Sequence, residues 1–190
     1  QGDFATAEPL QRRAVETRKR VLGSDHPDTL KSMNDLALVL AEQDQLSEAE
    51  AIHRHCLEAQ RKILGDEHPH TLESVNNLGC VLARARDFAA AVPLLEDALD
   101  RRKRTLGPTH PSTLQSMFSL STILIENGAA QGEELLLETI RLCDDNLGAD
   151  HPNTWIGKSR QVELLEKRGD IAGAERWLTE ILESHRRVRG

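Results

Sequence analysis

The fold of this chain is decided by a nine-residue stretch, Leu-Gly-Asp-Glu-His-Pro-His-Thr-Leu at 64–72. Related stretches stand at 22–30, 106–114 and 147–155, where the sequence reads LGSDHPDTL, LGPTHPSTL and LGADHPNTW. The histidines of the four copies are spaced by 42, 42 and 41 residues; they are His26, His68, His110 and His151. Self-similarity at a fixed period of a few tens of residues predicts a repeat array in which each copy is one supersecondary unit.

Each copy has the features of a corner between two helices. A glycine follows an amphipathic run, where a helix commonly ends in a left-handed residue that glycine adopts freely. Four residues later stands a proline, whose fixed φ and missing N–H suit the first turn of a helix. The histidine before it is pushed out of the helical region. It is predicted either to accept a hydrogen bond from a free backbone N–H or to pack on the neighbouring helix. The corner glycines are Gly23, Gly65, Gly107 and Gly148.

Between the corners, apolar residues recur at spacings of three and four, which predicts two amphipathic helices in each repeat. We name the helix that follows a corner helix A and the next one helix B. The first repeat is predicted to have helix A from Pro27 to about Gln43 and helix B from Ser47 to Leu64, with a turn at Asp44 and Gln45. The stretch 1–22 aligns with 43–64 and is therefore predicted to be an orphan helix B.

The sequence predicts one array with four repeats, at 26–65, 68–107, 110–148 and 151–190. A small residue opens every helix B, as close approach of two helices requires; these residues are Ala7, Ala49, Ala91, Gly132 and Ala174. Each of the first three A helices has a large residue followed by a small one: Leu36-Ala37, Leu78-Gly79 and Leu120-Ser121. The fourth repeat has Gln161-Val162 there and Lys158 in place of Met33, so it is predicted to be a degenerate terminal repeat.

Composition limits the function classes. The chain has 190 residues, of which 38% are hydrophobic and 29% charged, as in a folded protein with a charged surface. A net charge of −7 and an aromatic content of 3% without tyrosine argue against nucleic-acid binding. No apolar run is long enough for a membrane span, and three cysteines without metal-like spacing favour a reducing, cytoplasmic setting. Because the chain stops inside a fifth copy of the corner, we expect it to be a piece of a longer protein.

The large-small pairs and the small residues that open each helix B resemble the tetratricopeptide repeat (TPR). The 42-residue period with the LGxxHPxTL stretch resembles the longer repeat of kinesin light chains. The resemblance covers essentially the whole chain. It implies an all-α fold, a right-handed α-solenoid of stacked antiparallel helix pairs, whose A helices line a concave groove that binds an extended or helical peptide.

The predicted groove combines two observations. In the kinesin light chain pattern, asparagines after the His-Pro pair face the groove, and Asn34-Asp35 and Asn76-Asn77 match that pattern. The side of the A helices opposite the apolar stripe mixes amide, small and apolar residues, as a binding surface does. The predicted groove residues are Lys31, Asn34, Asp35, Leu38, Glu73, Asn76, Asn77, Arg84, Gln115, Phe118 and Thr122. Two alternatives stay open: an ordinary solvated surface, and asparagines that bond to neighbouring helices instead of a peptide.

Other clusters have structural interpretations beside the functional ones. His53, His55 and Cys56 resemble a metal cluster, but Cys56 aligns with Ala14 and Ala98 and so suits a small core position. The four corner histidines stand one per layer, roughly 8–10 Å apart, which is too far to share an ion. Basic runs at the ends of the B helices, at 18–20, 61–62 and 101–104, either form a stripe for an acidic partner or compensate the helix dipole.

We find no sequence pattern of an enzyme, a metal site or a cofactor site. Two functions remain: a scaffold that binds a protein or peptide partner in the groove, or a structural or regulatory module that packs on its own host, a larger sensor or enzyme. The orphan helix B lacks its partner, so we expect Leu10, Val15 and Val21 to be partly uncovered. Uncapped repeat ends tend to associate, which predicts weak self-association. Because no apolar run is long enough for a membrane span, we expect no membrane partner.

Overall fold

The computed structural model describes residues 4–189, with side chains described for 7–188. These residues form nine helices and no strand, so the predicted all-α fold is confirmed. The helices are α1 Phe4–Leu22, α2 Pro27–Glu42, α3 Leu46–Leu64, α4 Pro69–Arg84, α5 Phe88–Leu106, α6 Pro111–Glu126, α7 Gln131–Leu147, α8 Pro152–Lys167 and α9 Ile171–Arg189. The even-numbered helices are the A helices, and the predicted orphan helix B is α1. The outermost positions predicted for α1 and for the fourth repeat, 1–3 and 190, lie outside the described residues.

The histidine of each corner caps the following A helix. Its Nδ1 accepts a hydrogen bond from the backbone N–H two residues later, at 3.1–3.2 Å in all four copies. Proline follows as the first helical residue, where its missing N–H costs nothing. The predicted backbone acceptor role of these histidines is therefore confirmed, and imidazole does here what Ser or Asp does at most helix starts.

The backbone conformations at the corners and at the turns between helices A and B differ from the sequence prediction. Gly65 and Gly148 have positive φ as predicted, but their ψ values of 168° and 160° give an extended backbone that is nearly exclusive to glycine. The compact left-handed caps lie instead between helices A and B. There the N–H three residues past the end of the A helix bonds back to a carbonyl of its last turn at 2.9 Å, in the Schellman pattern. The positive-φ residues of these turns are Asp44, Arg86, Gly128 and Gly169.

The chain divides into two compact units between Thr105 and Leu106. In the first unit the apolar stripe of α2, which includes Leu30, Leu36 and Leu40, is buried against α3. In the second unit α6 and α7 bury a similar set, with Leu114, Met117, Leu120, Leu136 and Ile140 nearly inaccessible. The helical spacing read from the sequence therefore identified the buried faces correctly.

Small residues allow the close helix contacts that were predicted. Ala49, Ala91 and Ala174 are buried at the starts of their B helices. A Cβ added to Gly79 would lie 2.5 Å from Cγ of Leu95, and one added to Gly132 would lie 2.6 Å from the backbone N of Ile125. Neither position has room for a side chain, so these glycines are required by packing.

The fourth repeat replaces apolar contacts with buried polar ones. Lys158 stands in the Met33 column and is buried, with Nζ 3.0 Å from Glu180 Oε2 and 3.3 Å from Asp144 Oδ2. At the preceding corner, the Trp155 ring stacks on His185 at 3.9 Å between centroids. Trp155 Nε1 donates to Ser184 Oγ at 2.7 Å. These contacts hold α9 on α8 although the apolar stripe is shorter.

The exposure of α1 follows the prediction in part. Leu10 is 70% exposed and Val21 is 68% exposed, as the sequence predicted. The expectation for Val15 is wrong, because this residue is buried in the core of the first unit with Leu30 and Met33. Val15 lies on the side of α1 that faces α2, so α2 covers it.

Candidate functional site

A cleft of about 280 Å³ opens in the first unit beside the A helices α2 and α4. The end of α3 completes its wall, because helix B of the repeat ends between the two A helices. We call it the α2–α4 cleft. It is lined by Pro27, Asp28, Leu30, Lys31, Asn34, Asp35 and Leu38 of α2, by Gln60, Ile63 and Leu64 of α3, and by His70, Glu73 and Asn77 of α4.

Part of the cleft wall is apolar and open to solvent. Leu38 is 47% exposed and Ile63 is 51% exposed, whereas Leu36 and Leu40 beside Leu38 on the same helix are buried. A helix that buries one stripe normally presents polar residues on its other side. Two large aliphatic side chains that open into one concave surface therefore provide apolar area that a partner can cover.

The charged groups of the cleft are predominantly acidic. Asp28, Asp35 and Glu73 carry carboxylates, and Lys31 carries the single ammonium group among the lining residues. The nearest basic atoms to two of these carboxylates belong to histidines: His26 Nδ1 lies 3.9 Å from Asp28, and His70 Nδ1 lies 3.4 Å from Glu73. The cleft thus joins an apolar wall to a rim of carboxylates.

Asn34 connects three helices at the back of the cleft. Its Nδ2 donates to Ser74 Oγ on α4 at 3.2 Å, and its Oδ1 lies 3.0 Å from Nδ1 of His53 on α3. His53 is fully buried, and this desolvation lowers the pKa of its imidazole to about 4. The neutral ring donates its Nδ1 proton to Asn34. Both the donor and the acceptor of the Asn34 amide are therefore bonded within the fold. The sequence pattern left this role open as the alternative to bonding a peptide.

Gln60 is the polar residue most deeply placed in the cleft wall. It is buried, and its Oε1 has no hydrogen-bond partner among the described residues. A buried acceptor without a donor is costly, at about 1–3 kcal/mol. This oxygen is itself enclosed by the fold, so it offers no open contact to a partner.

Six of the predicted groove residues line the α2–α4 cleft, namely Lys31, Asn34, Asp35, Leu38, Glu73 and Asn77. Asn76 does not: it is 6% exposed, and its Nδ2 is 3.8 Å from Cys80 Sγ within its own helix. The expectation that Asn76 presents its amide on an open wall is therefore wrong, because the side chain is buried at this position of α4. Arg84 lies outside the cleft lining and pairs with Glu42, with Nη1 and Oε1 2.7 Å apart.

The three predicted groove residues of the second unit have other surroundings. Phe118 is 6% exposed and packs against Gly157, where an added Cβ would lie 2.7 Å from the ring. The expectation that Phe118 is an accessible apolar anchor is therefore wrong. Thr122 Oγ1 donates to the Phe118 carbonyl at 2.9 Å and accepts a hydrogen bond from Arg160. Gln115 is exposed.

Sequence reasoning missed the contribution of the B helix and of the corner to this site. Gln60, Ile63 and Leu64 come from the last turn of α3, and His70 comes from the start of α4. One signal was available. Ile63 is an aliphatic residue beyond the buried positions Ala59 and Gln60, two residues before the corner glycine, where solvent-facing residues are expected.

The basic runs and the His-Cys cluster have structural roles. Arg61 Nε lies 3.0 Å from Asp66 Oδ1, and Arg101 Nη1 lies 2.9 Å from Glu67 Oε1, so corner carboxylates neutralise the ends of α3 and α5. Cys56 is buried in the core, with Sγ 3.6 Å from the Leu30 carbonyl. In the part of the chain that the structure describes, no three His, Cys, Asp or Glu side chains are grouped to hold a metal ion. Within the same residues, no helix is long and apolar enough to cross a membrane.

Comparison with known proteins agrees with the repeat architecture. Models of the tetratricopeptide repeat match residues 1–62, 36–104 and 76–146. Among solved structures, the chain is similar to a variant of a kinesin light chain-like protein of Podosopora anserina with nearly identical TPR-like repeats. The identity is 26% and the TM-score 0.79, over 99% of this chain and 89% of that one.

A second crystal structure of that Podosopora anserina protein has 26% identity and a TM-score of 0.75, over 98% of this chain and 89% of the other. BtubC (BKLC) from P. vanneervenii has a TM-score of 0.76 over 100% of this chain and 76% of its own; at 17% identity, this likeness shows the fold alone. No curated protein matches the chain.

Proposed function

We propose, from the premise that this chain belongs to the tetratricopeptide repeat family, that it is an interaction scaffold which binds a peptide segment of a partner protein in the α2–α4 cleft. The observation that carries the proposal is the pair of aliphatic side chains, Leu38 and Ile63, that open into one concave surface. Arrays of this family generally serve as protein-interaction scaffolds, and a cleft beside the A helices suits that work.

The size of the cleft favours a peptide over a small-molecule ligand. Its volume of about 280 Å³ is at the lower limit of small-molecule pockets, which span roughly 300–1,000 Å³. One or two side chains of a bound peptide fill such a space. Residues one period apart lie roughly 10–20 Å apart in adjacent layers. A peptide of several residues reaches across both layers, since an extended chain covers about 3.3 Å per residue.

Recognition in this cleft rests on side chains other than Asn34. The amide of Asn34 already bonds Ser74 and His53, so it is not available to a peptide backbone without breaking the fold. Asn77 lines the same cleft, is partly buried and has no hydrogen bond among the described residues. We therefore assign to Asn77 the contact with the peptide backbone that the sequence pattern predicted for Asn34, since its amide offers both donors and an acceptor.

The proposal includes no catalytic activity. Burial raises the pKa of the Cys56 thiol to about 12 and that of the Cys143 thiol to about 11, which is the opposite of what a nucleophilic cysteine needs. The three cysteines form no disulfide, which supports a reducing, cytoplasmic setting. The acidic lining of the cleft argues against nucleic acid as a partner, because it would repel phosphate groups.

Selection of short random peptides displayed on phage, with the purified protein as target, tests the proposal. Leu38→Glu places a charge on the apolar wall, and we expect it to weaken binding of the selected peptides by about tenfold or more. Leu137→Glu on α7 is the matched control, since Leu137 is also exposed but lies outside the cleft. Lys62→Ala on the outer side of α3 is a second control.

Equal binding of the selected peptides to the wild-type protein and to Leu38→Glu would contradict the proposal. Loss of binding in Leu137→Glu or Lys62→Ala alone would move the site to the outer surface. Failure to select any peptide on the intact protein would favour the alternative function, in which the array packs on its own host.

A further inference from the structure

We infer that the α2–α4 cleft selects basic segments, in which a lysine or arginine stands next to a branched aliphatic residue. The inference rests on the proposed function and names the class of partner that this site takes. It depends on two features of the cleft: carboxylates outside close ion pairs with arginine or lysine, and an exposed apolar wall.

The carboxylates of the cleft differ from others on the same unit in their partners. Outside the cleft, Glu48 pairs with Arg12 at 2.6 Å, Glu42 with Arg84 at 2.7 Å and Glu67 with Arg101 at 2.9 Å. Within the described residues, Asp28, Asp35 and Glu73 have no arginine or lysine nitrogen within 4.0 Å. The arginines of this unit therefore form their ion pairs mainly with outer carboxylates. The buried Arg102 interacts with Glu73 at a distance beyond 4.0 Å, and the cleft stays predominantly negative.

The relative placement of charge and apolar area matches the shape of a long basic side chain. Lysine and arginine bury an aliphatic stem and keep the charged group in water. Asp35 and Glu73 stand on the two opposite A helices, and their carboxylates are exposed. A stem that lies along Leu38 brings its charged group to this rim.

An acidic partner segment is disfavoured by the same groups. It would meet three carboxylates and one ammonium group, that of Lys31. Like charges brought together at an interface reduce both the association rate and the specificity for that partner. The partner segment also needs an aliphatic residue beside the basic one. A purely basic segment would leave the exposed side chain of Ile63 on the apolar wall uncovered.

Two fluorescein-labelled peptides test the inference by fluorescence anisotropy. Both alternate leucine with a charged residue; the charged residue is arginine in one peptide and glutamate in the other. The wild-type protein is expected to bind the arginine peptide about tenfold more tightly at low salt, because several exposed ion pairs each contribute modestly. The preference should shrink as salt screens these charges.

The variant D35K/E73K replaces two carboxylates of the rim with lysines and is expected to reverse the preference. The matched control is E58K/E96K, which changes the net charge by the same amount at exposed positions outside the cleft. Circular dichroism checks that both variants are folded. We expect the control to keep the preference of the wild-type protein, because its substitutions lie elsewhere.

The failure of this inference is distinguishable from the failure of the proposed function. If both peptides bind equally and Leu38→Glu abolishes binding, the cleft is the binding site but does not select basic segments. If D35K/E73K and E58K/E96K weaken binding of the arginine peptide equally, the attraction comes from net charge and the inference is overturned. If Leu38→Glu has no effect on either peptide, the cleft is not the site and the proposed function fails as well.

Discussion

Asn34 of α2 donates a hydrogen bond to Ser74 Oγ of α4 at 3.2 Å and thereby joins two consecutive A helices through residues that are forty apart in sequence. On the other side of the same amide, His53 of α3 bonds to Oδ1 at 3.0 Å. One side chain thus ties three helices of the first unit together, at the back of the cleft in which we place the partner.

This relationship predicts a stability effect that the sequence pattern did not. Asn34→Ala should lower the free energy of unfolding by about 1–3 kcal/mol, because it leaves the buried His53 Nδ1 without its acceptor. Asn77→Ala is the matched control: Asn77 lines the same cleft but bonds no other helix among the described residues, so its loss should change stability little. Urea denaturation followed by circular dichroism measures both. Equal stability of the two variants would show that the Asn34 bridge does not hold the fold.

His53 predicts a dependence of stability on pH. Burial lowers its pKa from 6.5 to about 4, so between these pH values the unfolded state binds more protons than the folded state. Stability is therefore complete above pH 6.5 and falls as the pH is lowered toward 4. The loss from this group is about 3 kcal/mol, at 1.36 kcal/mol per pKa unit.

Denaturant melts of the wild-type protein and of His53→Gln at several pH values isolate this contribution from that of the other histidines. The variant keeps a donor for Asn34 and does not titrate in this range, so its stability should fall less than that of the wild-type protein. Parallel curves for the two proteins across the interval would show that His53 is not the group responsible.

The backbone conformation of Gly65 predicts that its substitution destabilises the fold. Its φ of 86° and ψ of 168° are nearly exclusive to glycine, so Gly65→Ala should lower stability by about 1–3 kcal/mol. No atom lies within 4 Å of the added Cβ, so the cost arises in the backbone alone. Ser24→Ala, beside the equivalent Gly23, is the control in thermal unfolding. A melting temperature of Gly65→Ala equal to that of the control would mean that the corner relaxes at no cost.

Thiol reactivity checks the placement of the three cysteines. Cys56 and Cys143 are buried with raised pKa values of about 12 and about 11, whereas Cys80 is partly exposed. At pH 8, Ellman's reagent should modify one thiol rapidly and the other two only after denaturation. Cys80→Ser should abolish the rapid phase. A rapid phase that persists in this variant would show that one of the buried thiols is accessible.

The open side of α1 leads to the prediction of weak self-association. Leu10 and Val21 are exposed on α1, and exposed large apolar side chains are sites at which proteins associate. Leu10→Lys combined with Val21→Lys should lower the average mass that sedimentation equilibrium measures at high protein concentration. An identical concentration dependence for the wild-type protein and the double variant would exclude these residues as the contact.

The sequence predicted the fold well because its main signals are local and repeated. The glycine, histidine and proline of each corner fix where helices end and begin, and four agreeing copies remove the ambiguity of any single one. The caps at Asp44 and Arg86 were not predictable, since neither residue type signals a left-handed conformation as glycine does. The φ of each corner glycine was predicted, but its extended ψ was not.

The candidate site was predictable only in part. Lys31, Asp35, Leu38 and Glu73 follow from their places on the A helices. The exchange of roles between Asn34 and Asn77 could not be read from the pattern, because it depends on which residue the buried His53 meets across the hairpin. Asn76 and Phe118 share the Asn34 column but are buried, since the packing around a column changes from one repeat to the next.

The local closure of the corner has a consequence for how repeats are gained and lost in evolution. The bonds that close it join near neighbours in sequence: His68 Nδ1 accepts from the N–H of His70, and Thr71 Oγ1 donates to the carbonyl of Gly65 at 2.8 Å. A joint that is complete within nine residues is copied whole whenever its segment of the gene is duplicated, and it needs no matching change elsewhere. Gain, loss or trimming of repeats can therefore proceed without redesign of the connections. The corner at His151 has the same bond as the others although the repeat before it is one residue shorter.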